Sequence, residues 1–257
     1  MSKVIVITGA SGGIGAALAQ RVARDGHAVV LAARRERELK AVAATCGERA
    51  LSVVADVTQR TLVYNLRDAA IRRFGVVDVW VNNAGRGISK KVLELTDEDL
   101  DAMVTVNVKS ALYGMQAIVP HFQDRGQGHL INVSSFLGRV PLVTFRSAYN
   151  AAKAALNSLT ANLRMDLQAT HPSIHVSLVM PGVVTTEFAK NALGTPVPSA
   201  VAAPGTNTQT PEEVADRIAE LIANPVPEIY TNPAHPQLAR AYYHDVAAFE
   251  AKAASSR

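Results

Sequence analysis

Short runs of β-branched and apolar residues alternate along this chain with longer amphipathic stretches. The runs that predict strands are residues 4–7, 28–32, 50–54, 77–81, 130–133, 175–179 and 228–230. Helical periodicity fills residues 13–25, 36–44, 61–74, 97–122, 148–169 and 211–223. Strands that alternate with helices in this way are typical of a parallel sheet with helices on both faces. The sequence therefore predicts an α/β fold with a doubly wound, seven-stranded parallel sheet flanked by helices.

The predicted domain is a single one, residues 1–257, because no linker and no internal repeat divides the chain. One segment, residues 183–210, breaks the alternation and is rich in Pro, Gly, Thr, Ala and Asn. No charged residue lies between Asn191 and Thr210. Such a segment is too long for an ordinary connection, so it is either a mobile lid or a poorly ordered insertion. We expect a substrate lid loop.

Composition excludes several classes of protein. A chain with 48% hydrophobic residues and a formal charge of +4 does not have the composition of a disordered protein. The uncharged stretch at residues 167–186 contains Pro172 and Pro181, so no membrane span is expected. Basic residues are scattered and interrupted by acids, which indicates a mixed-charge surface and no nucleic-acid partner.

The chain has one cysteine, Cys46, and seven histidines. A single cysteine forms no intrachain disulfide, and its simplest interpretation is a small hydrophobic side chain. This cysteine usage, together with the absence of a secretory signal before the first predicted strand, leads us to expect a cytoplasmic location. The histidines show no metal-ligand spacing, so no metal site is predicted.

The first predicted strand leads into a glycine-rich turn and then into a helix. Glycine lets the backbone turn sharply and approach a pyrophosphate, whose charge is stabilised by free amides and the helix dipole. The spacing GxxxGxG differs from the GxGxxG fingerprint, and a purely structural turn would give the same pattern. The candidate phosphate-binding residues are Gly9, Ser11, Gly12, Gly13, Ile14 and Gly15.

Three further motifs lie after predicted strands or at the start of a predicted helix. The segment 82–85, Asn-Asn-Ala-Gly, follows the fourth strand, at the sheet edge where parallel sheets bind ligands, although it also fits a plain turn. Tyr149 and Lys153 are four residues apart, which puts a phenol and an ammonium on one helix face. Such a pair is common by itself. It becomes informative because Ser135 ends the fifth strand just upstream.

With these motifs the chain resembles the short-chain dehydrogenase/reductase family over nearly its whole length. The motifs occur in the family's order and at close to its spacing: residues 8–15, residues 82–85, Ser135, Tyr149 with Lys153, and Pro181-Gly182 with Thr186. The resemblance implies a Rossmann fold, a nicotinamide cofactor and hydride transfer.

The resemblance also implies a role for each matching residue. Tyr149 would be the general acid/base, Lys153 would lower the pKa of Tyr149 and hold the nicotinamide ribose, and Ser135 would bind the substrate carbonyl. Asn107 matches the family's fourth catalytic residue, which supports a water that links Lys153 to solvent. From propensity alone Asn107 is a misfit in a helix interior that faces solvent or a bound water. The implied cofactor-binding residues are Asn83, Ala84, Gly85, Tyr149, Lys153, Pro181, Gly182 and Thr186, with Asp56 and Val57 as the adenine-contacting pair.

One spacing departs from the family's pattern. Ser135 lies fourteen residues before Tyr149, whereas the usual spacing is thirteen. We infer a one-residue insertion around residues 143–146 and expect this loop to give the substrate pocket an unusual lining. Ser134 is the less favoured catalytic serine on this spacing. Leu137 and Arg139 are also expected to line the pocket.

The end of the second predicted strand bears on the choice between NAD and NADP. An Asp at this place would bind the ribose 2′-hydroxyl of NAD, and this chain has Ala33 followed by Arg34. Arg34 therefore resembles a ligand of the 2′-phosphate and implies NADP (NADPH) as the cofactor. Alternatively, Arg34 and Arg35 only begin a solvated helix.

We expect an NADP-dependent carbonyl reductase or alcohol dehydrogenase that acts on a small-molecule ketone, aldehyde or alcohol. The family commonly assembles as a homodimer or homotetramer. An epimerase or dehydratase is the rival among enzymes, but such relatives are usually longer and have another glycine spacing. The alternative from another class is a catalytically idle, NADP-sensing regulatory protein, and the presence of both Tyr149 and Lys153 argues against it. Residues 232–257 carry no motif.

Overall fold

The computed structural model of this chain describes residues 2–194 and 207–255. Its strands are β1 (Val4–Thr8), β2 (Ala28–Ala33), β3 (Ala50–Val54), β4 (Val79–Asn82), β5 (Ile88–Ser89), β6 (Gly128–Val133), β7 (Ile174–Met180), β8 (Leu193–Gly194) and β9 (Glu228–Tyr230). Its α-helices are α1 (Gly13–Arg24), α2 (Glu36–Cys46), α3 (Arg60–Phe74), α4 (Asp97–Val104), α5 (Ser110–Arg125), α6 (Ser147–Gln168), α7 (Pro211–Ala223), α8 (His235–His244) and α9 (Val246–Ser255). None of the helices in these two ranges has the length and apolar character that crossing a bilayer requires.

Seven strands form one sheet in the order β3-β2-β1-β4-β6-β7-β9, and every neighbouring pair is parallel. The chain builds outward from β1 to β3 and then crosses back to β4 on the other side of β1. In open α/β sheets, ligands bind in the crevice outside the carboxyl ends of the strands at such a reversal. The predicted doubly wound, seven-stranded parallel sheet in a single Rossmann-fold domain is confirmed.

The sheet is buried on both faces, as parallel sheets usually are. Side chains alternate between the two faces along each strand. Val6 of β1 therefore packs into a core with α3 and α5, which also contains Trp80 of β4. Its neighbour Ile7 packs into a second core with α1 and α7, on the opposite face.

A buried polar network joins the ends of β4 and β6 to α6. The indole Nε1 of Trp80 donates to Asn82 Oδ1 (2.8 Å), and Asn82 Nδ2 donates to Asn132 Oδ1 (2.9 Å). Asn132 Nδ2 in turn donates to Thr160 Oγ1 (2.9 Å). Satisfied buried networks of this kind are rigid, so this one fixes α6 relative to the carboxyl edge of the sheet.

The long helix predicted for residues 97–122 is interrupted. A π-helical turn at Thr105–Lys109 separates α4 from α5. Such a turn shifts the helical phase, and π-helical turns frequently occur at functional sites. The shift turns Asn107 into the protein, where its side chain is buried.

The predicted lid, residues 183–210, is described only in part, since residues 195–206 lie outside the described residues. Within it, β8 pairs in parallel with β5, and Val184 pairs with Gln209. The sequence does not predict this second, two-stranded sheet, because each of its strands has only two residues. The C-terminal region without a motif forms α8 and α9.

Candidate active site

A cleft of about 290 Å³ lies outside the carboxyl ends of β1, β4, β6 and β7. It brings together most of the residues predicted to form the site. Those that line it are Gly9, Gly12, Gly13, Ile14, Asn83, Ala84, Gly85, Ser135, Tyr149, Lys153, Pro181, Gly182 and Thr186. Ser11, Gly15 and Asn107 lie behind this lining and contact its members.

The glycine-rich turn is too tight for side chains. Gly9 has a φ of +69°, and a Cβ on it would lie 2.8 Å from the Cα of Ala84. A Cβ on Gly15 would lie 2.5 Å from the carbonyl oxygen of Gly9. The N-terminus of α1 begins after Gly12 and has no side-chain cap. Its amides therefore face the cleft without a competing side chain, which fits the pyrophosphate of a dinucleotide.

The loop after β4 is tied to the end of β1. Asn83 Nδ2 donates to the carbonyl of Thr8 (2.9 Å), and the backbone amides of Asn83 and Ala84 donate to Thr8 Oγ1 (3.0 and 3.1 Å). These bonds hold the segment Asn83 to Gly85 beside the glycine-rich turn, as the shared sheet edge predicts.

Tyr149 and Lys153 lie one turn apart on α6, and both side chains are almost fully buried. The ammonium of Lys153 donates to the carbonyl of Val133 (2.9 Å) and lies 5.7 Å from the centroid of the Tyr149 ring. The Tyr149 ring also makes an edge contact with Phe188, with ring centroids 5.5 Å apart. Phe188 belongs to the segment predicted as a lid, which therefore covers the tyrosine.

Burial dominates the titration of both groups. It raises the pKa of Tyr149 to about 12 and lowers the pKa of Lys153 to about 8. The hydroxyl of Ser135 and the charge of Arg146 lower the pKa of Tyr149 by smaller amounts. The pKa of Tyr149 thus lies above its usual value in the protein alone, and the effect of Lys153 together with a bound nicotinamide stays a prediction. The reason for the rise is desolvation, which disfavours both the phenolate and the ammonium.

The two adjacent serines have different surroundings. Ser134 Oγ donates to the carbonyl of Lys153 (3.3 Å) and to Asn157 Oδ1 (2.5 Å), so its hydroxyl is engaged with α6. Ser135 Oγ accepts a hydrogen bond from the amide of Leu137 (3.2 Å). The hydroxyl of Ser135 also lowers the pKa of Tyr149 through a side-chain hydrogen bond. This difference favours Ser135 as the serine beside the reacting group, in agreement with the preference drawn from its spacing.

Asn107 contacts the backbone of the loop that follows β4. Its Nδ2 donates to the carbonyls of Arg86 (2.9 Å) and Met103 (3.1 Å), and its Oδ1 accepts from the amide of Arg86 (3.1 Å). A Cβ on Gly85 would lie 2.9 Å from Asn107 Oδ1 and 3.5 Å from Lys153 Nζ. In the described structure Asn107 thus binds protein backbone, where the sequence suggested solvent or a water.

The two arginines after β2 are placed differently from the expectation. The side chain of Arg34 is 67% exposed, and its Nη1 lies 4.0 Å from Asp56 Oδ2. Arg35 lines the cleft instead and donates from Nε to Ser11 Oγ and from Nη2 to the carbonyl of Ser11, both at 3.2 Å. Among the described residues, those that line the cleft do not include Arg34, Asp56 or Val57. The sequence does not single out Arg35, although its position directly after Arg34 was a signal.

The substrate side of the cleft also differs in part from the expectation. Leu137 lines the cleft as predicted, but Arg139 does not, because it points away and pairs with Glu228 (2.6 Å). The loop thought to carry an insertion, residues 143–146, contributes Val143, Phe145 and Arg146 to the lining.

A residue of the C-terminal region supports the cleft from behind. The ring of His235, at the start of α8, stacks on Phe136 with centroids 3.8 Å apart. A Cβ on Gly182 would lie 2.6 Å from His235 Cε1. His235 therefore fills the space between the residue after Ser135 and the cofactor-side segment Pro181-Gly182.

Comparisons with known proteins agree with this geometry. A family profile described as short chain dehydrogenase matches residues 3–195. The chain is 37% identical over 184 residues to an uncharacterized oxidoreductase of Staphylococcus epidermidis, which covers 72% of this chain and 79% of that protein. Among solved structures, it is similar to a short chain dehydrogenase/reductase from Burkholderia phymatum in complex with NAD (TM-score 0.86, 29% identity, 95% of this chain and 94% of that one). It is also similar to an alcohol dehydrogenase from the archaeon Thermococcus sibiricus complexed with 5-hydroxy-NADP (TM-score 0.77, 29% identity, 91% of this chain and 98% of that one).

Proposed function

Because this chain belongs to the short-chain dehydrogenase/reductase family of oxidoreductases, we propose that it transfers a hydride between NADP(H) and a carbonyl or secondary alcohol, with Tyr149 as the general acid/base. The observation that carries this proposal is the convergence of Tyr149, Ser135 and Lys153 on one cleft with the glycine-rich turn. The nicotinamide cofactor supplies the hydride chemistry itself.

The side chains present suit the proton transfer that must accompany a hydride. In reduction, Tyr149 gives its phenolic proton to the substrate oxygen while Ser135 donates a hydrogen bond to that oxygen. In oxidation, the phenolate form of Tyr149 takes the proton of the alcohol and becomes the neutral phenol. A phenol with a pKa of about 12 is protonated at neutral pH, so it is ready to act as the donor. Lys153, whose ammonium donates to the carbonyl of Val133, would bind the nicotinamide ribose.

The choice of NADP rests on the chemistry at the end of β2. The relatives with solved structures hold NAD in one case and an NADP analogue in another, so likeness does not choose between them. Ala33 offers no carboxylate to the ribose 2′-hydroxyl, and two guanidinium groups, Arg34 and Arg35, follow it. Guanidinium groups match phosphate oxygens with charge-assisted hydrogen bonds. Asp56 and Val57, after β3, complete the proposed adenine side of the site.

The proposal includes a homodimer or homotetramer in the cytoplasm. Exposed apolar side chains in the segment that precedes the π-helical turn support a covered surface there: Val92, Leu93 and Leu100 are 69%, 99% and 45% exposed. Such patches mark interaction sites more often than single exposed residues do. Light scattering on the purified protein tests the oligomeric state, and a monomeric mass contradicts this part of the proposal.

The activity is tested by following NADPH absorbance with a panel of aldehydes, ketones and alcohols, in both directions and with NADH in parallel. We expect turnover with at least one carbonyl compound and its loss in Tyr149→Phe. Binding of NADPH without turnover of any member of the panel would instead favour the NADP-sensing protein.

A further inference from the structure

Arg146 is a cation in the cleft that has no anionic partner among the described residues. It immediately precedes α6, three residues before Tyr149, and is only 9% exposed. Its Nη1 donates to the carbonyl of Ile88 (3.1 Å), and its guanidinium carbon lies 5.6 Å from the centroid of the Phe145 ring. It forms no ion pair with any residue in the described ranges. Residues 195–206 contain no Asp or Glu in their sequence.

The other charged residues described in the cleft lining have counterparts. Arg35 binds Ser11 on the cofactor side, and the ammonium of Lys153 binds the carbonyl of Val133. The carboxylate of Glu187 pairs with Lys190 (3.3 Å), and both of these side chains are mostly exposed. Among the described lining residues, Arg146 is therefore the cation on the substrate side that has neither an ion-pair partner nor a proposed role in cofactor binding. A buried charge without a partner is costly, whereas a bound anion would offset that cost.

We propose that Arg146 binds the carboxylate of the substrate, so that hydroxy acids and their oxo acids are the preferred substrates. This inference rests on the proposed function, because it places the reacting carbon at Tyr149. A guanidinium has five N–H donors and binds a carboxylate through two parallel hydrogen bonds. Among the described residues, the Arg146 guanidinium donates a hydrogen bond to the carbonyl of Ile88, which leaves its other N–H groups available to a ligand.

The short separation between Arg146 and Tyr149 limits the length of the substrate. Arg146 immediately precedes α6, Tyr149 lies in the first turn of that helix, and both residues line the same cleft. The carboxylate would therefore be separated from the reacting carbonyl by a short carbon chain. Val143, Phe145 and Phe188 provide apolar walls for that chain. A dianionic phosphate would lose more hydration than a carboxylate at a site this closed, so the carboxylate is the better fit.

The loop that carries Arg146 also explains the spacing between the predicted serine and tyrosine. The inferred one-residue insertion falls at residues 143–146, and this loop places Phe145 and Arg146 in the cleft. Gly87 lies opposite it, where a Cβ would lie 2.9 Å from Phe188 Cε1 and 3.0 Å from Arg146 Nη1. The extra residue is thus part of the surface that contacts the substrate.

The test compares an oxo acid with its neutral ester in four proteins. The substrates are acetoacetate and methyl acetoacetate with NADPH, followed by 4-oxopentanoate and its methyl ester to vary the spacing. The proteins are the parent, Arg146→Gln, Arg146→Lys and Arg240→Gln. The last variant removes the same charge from the exposed face of α8 and is the matched control.

We expect the parent to prefer one of the acids over its ester by at least about tenfold in kcat/KM. Arg146→Gln should lower kcat/KM for that acid by about ten- to a hundredfold, mainly through KM, because a charge-assisted pair is lost. The ester should lose clearly less kcat/KM than the acid does, and Arg146→Lys should keep part of the preference. Arg240→Gln should behave as the parent. Equal use of acid and ester by the parent, or an equal loss for both in Arg146→Gln, overturns the proposal.

A binding measurement separates this proposal from the proposed function. Butanoate should raise the melting temperature of the parent more than butanamide does, because only the anion pairs with Arg146. The difference should vanish in Arg146→Gln and persist in Arg240→Gln. If no carbonyl compound is turned over but this difference is found, the proposed function fails and the anion site stands. If butanoate and butanamide raise the melting temperature of the parent equally, the proposed anion site is wrong, whether or not the protein turns over a carbonyl compound.

Discussion

Asn107 binds both backbone polar groups of Arg86: its Oδ1 accepts from the amide (3.1 Å), and its Nδ2 donates to the carbonyl (2.9 Å). The π-helical turn makes this possible, because it presents Asn107 to the loop that follows β4. The same loop contains Gly85, whose Cα hydrogen faces Asn107 and Lys153 at close range. The asparagine therefore positions one wall of the cleft.

We expect Asn107→Ala to lower the free energy of unfolding by about 1–3 kcal/mol, because it leaves the backbone polar groups of the partly buried Arg86 unpaired. Activity should fall by more than that loss of stability alone explains. Urea unfolding and kcat/KM on the same preparations check both effects. Asn162→Ala is the control, since Asn162 is an exposed asparagine on α6 that binds the carbonyl of Ser158. Equal effects of the two variants would show that the contact with Arg86 is unimportant.

Tyr149→Phe should reduce turnover by at least about a hundredfold, because general acid/base catalysis is typically worth that much. Affinity for NADPH should change little, since the hydroxyl is the proton carrier. Lys153→Ala should reduce both turnover and affinity. Steady-state rates and fluorescence titration with NADPH make the comparison, with the exposed Tyr243→Phe as control. A Tyr149→Phe protein with more than about a tenth of the parent rate contradicts the assignment.

Cofactor preference should depend on the residues at the end of β2. Ala33→Asp combined with Arg34→Ala should reverse a preference for NADPH over NADH, because the new carboxylate repels the 2′-phosphate and accepts from a 2′-hydroxyl. Arg35→Ala should weaken NADPH binding by about ten- to a hundredfold if its guanidinium contributes a charge-assisted bond of about 1.5–3 kcal/mol. The measurement is kcat/KM for both cofactors with one substrate. If Arg34→Ala alone accounts for the whole change, Arg35 serves only to hold Ser11.

The described part of the predicted lid should respond to ligands. Residues 183–194 are held by the short β5–β8 pairing and by the contact of Phe188 with Tyr149. Their amides should therefore exchange faster than those of the central strands and become protected when NADPH and a substrate analogue bind. Hydrogen exchange read by mass spectrometry follows this. If the amides of residues 183–194 exchange as slowly as those of β1, and ligands do not change their exchange, this segment is not a lid.

Stability should decrease as the pH falls below about 6.5. Burial lowers the pKa of His129 to about 3 and that of His235 to about 4, so both are neutral in the folded protein near pH 5. In the unfolded chain a histidine binds a proton below about pH 6.5, so the unfolded state gains protons that the folded state does not. Between pH 7.5 and pH 5, each histidine should lower the free energy of unfolding by about 2 kcal/mol.

The two histidines can be tested separately by urea unfolding at pH 7.5 and pH 5. His129→Gln should lose part of the pH dependence of the parent, whereas the exposed His244→Gln should keep all of it. An unchanged pH dependence in His129→Gln would mean that its imidazole is protonated in the folded state. The same pair of measurements on His235→Gln tests the residue behind Gly182.

The periodic parts of the fold could be predicted from the sequence. Strands such as 50–54 and 228–230, and the helix at 211–223, are predicted with the bounds that the structure gives. In each case a change in hydrophobic period coincides with a turn or capping residue. The helix at 211–223 has Thr210 as its cap and Pro211 at its first position. Local chemistry alone determines such boundaries.

Other features depend on contacts that no local pattern reveals. The π-helical turn at Asn107 is stabilised by the backbone of Arg86, which is distant in sequence. Arg35 reaches the cleft because it binds Ser11, whereas its neighbour Arg34 points outward. The pKa of Tyr149 is governed by how deeply the fold buries it. Motifs thus indicate which residues form the site. Tertiary packing determines the pKa values of those residues, and it determines that Arg35 and not Arg34 reaches the cleft.

The close approach of Gly182 to His235 has a consequence for the evolution of this chain. A side chain at position 182 would occupy the space of the imidazole, since a Cβ there would lie 2.6 Å from His235 Cε1. A descendant sequence that replaces the glycine must therefore reduce the volume at position 235 as well. We expect the two positions to change together across relatives that retain α8, and a designer who alters one of them would have to redesign the other.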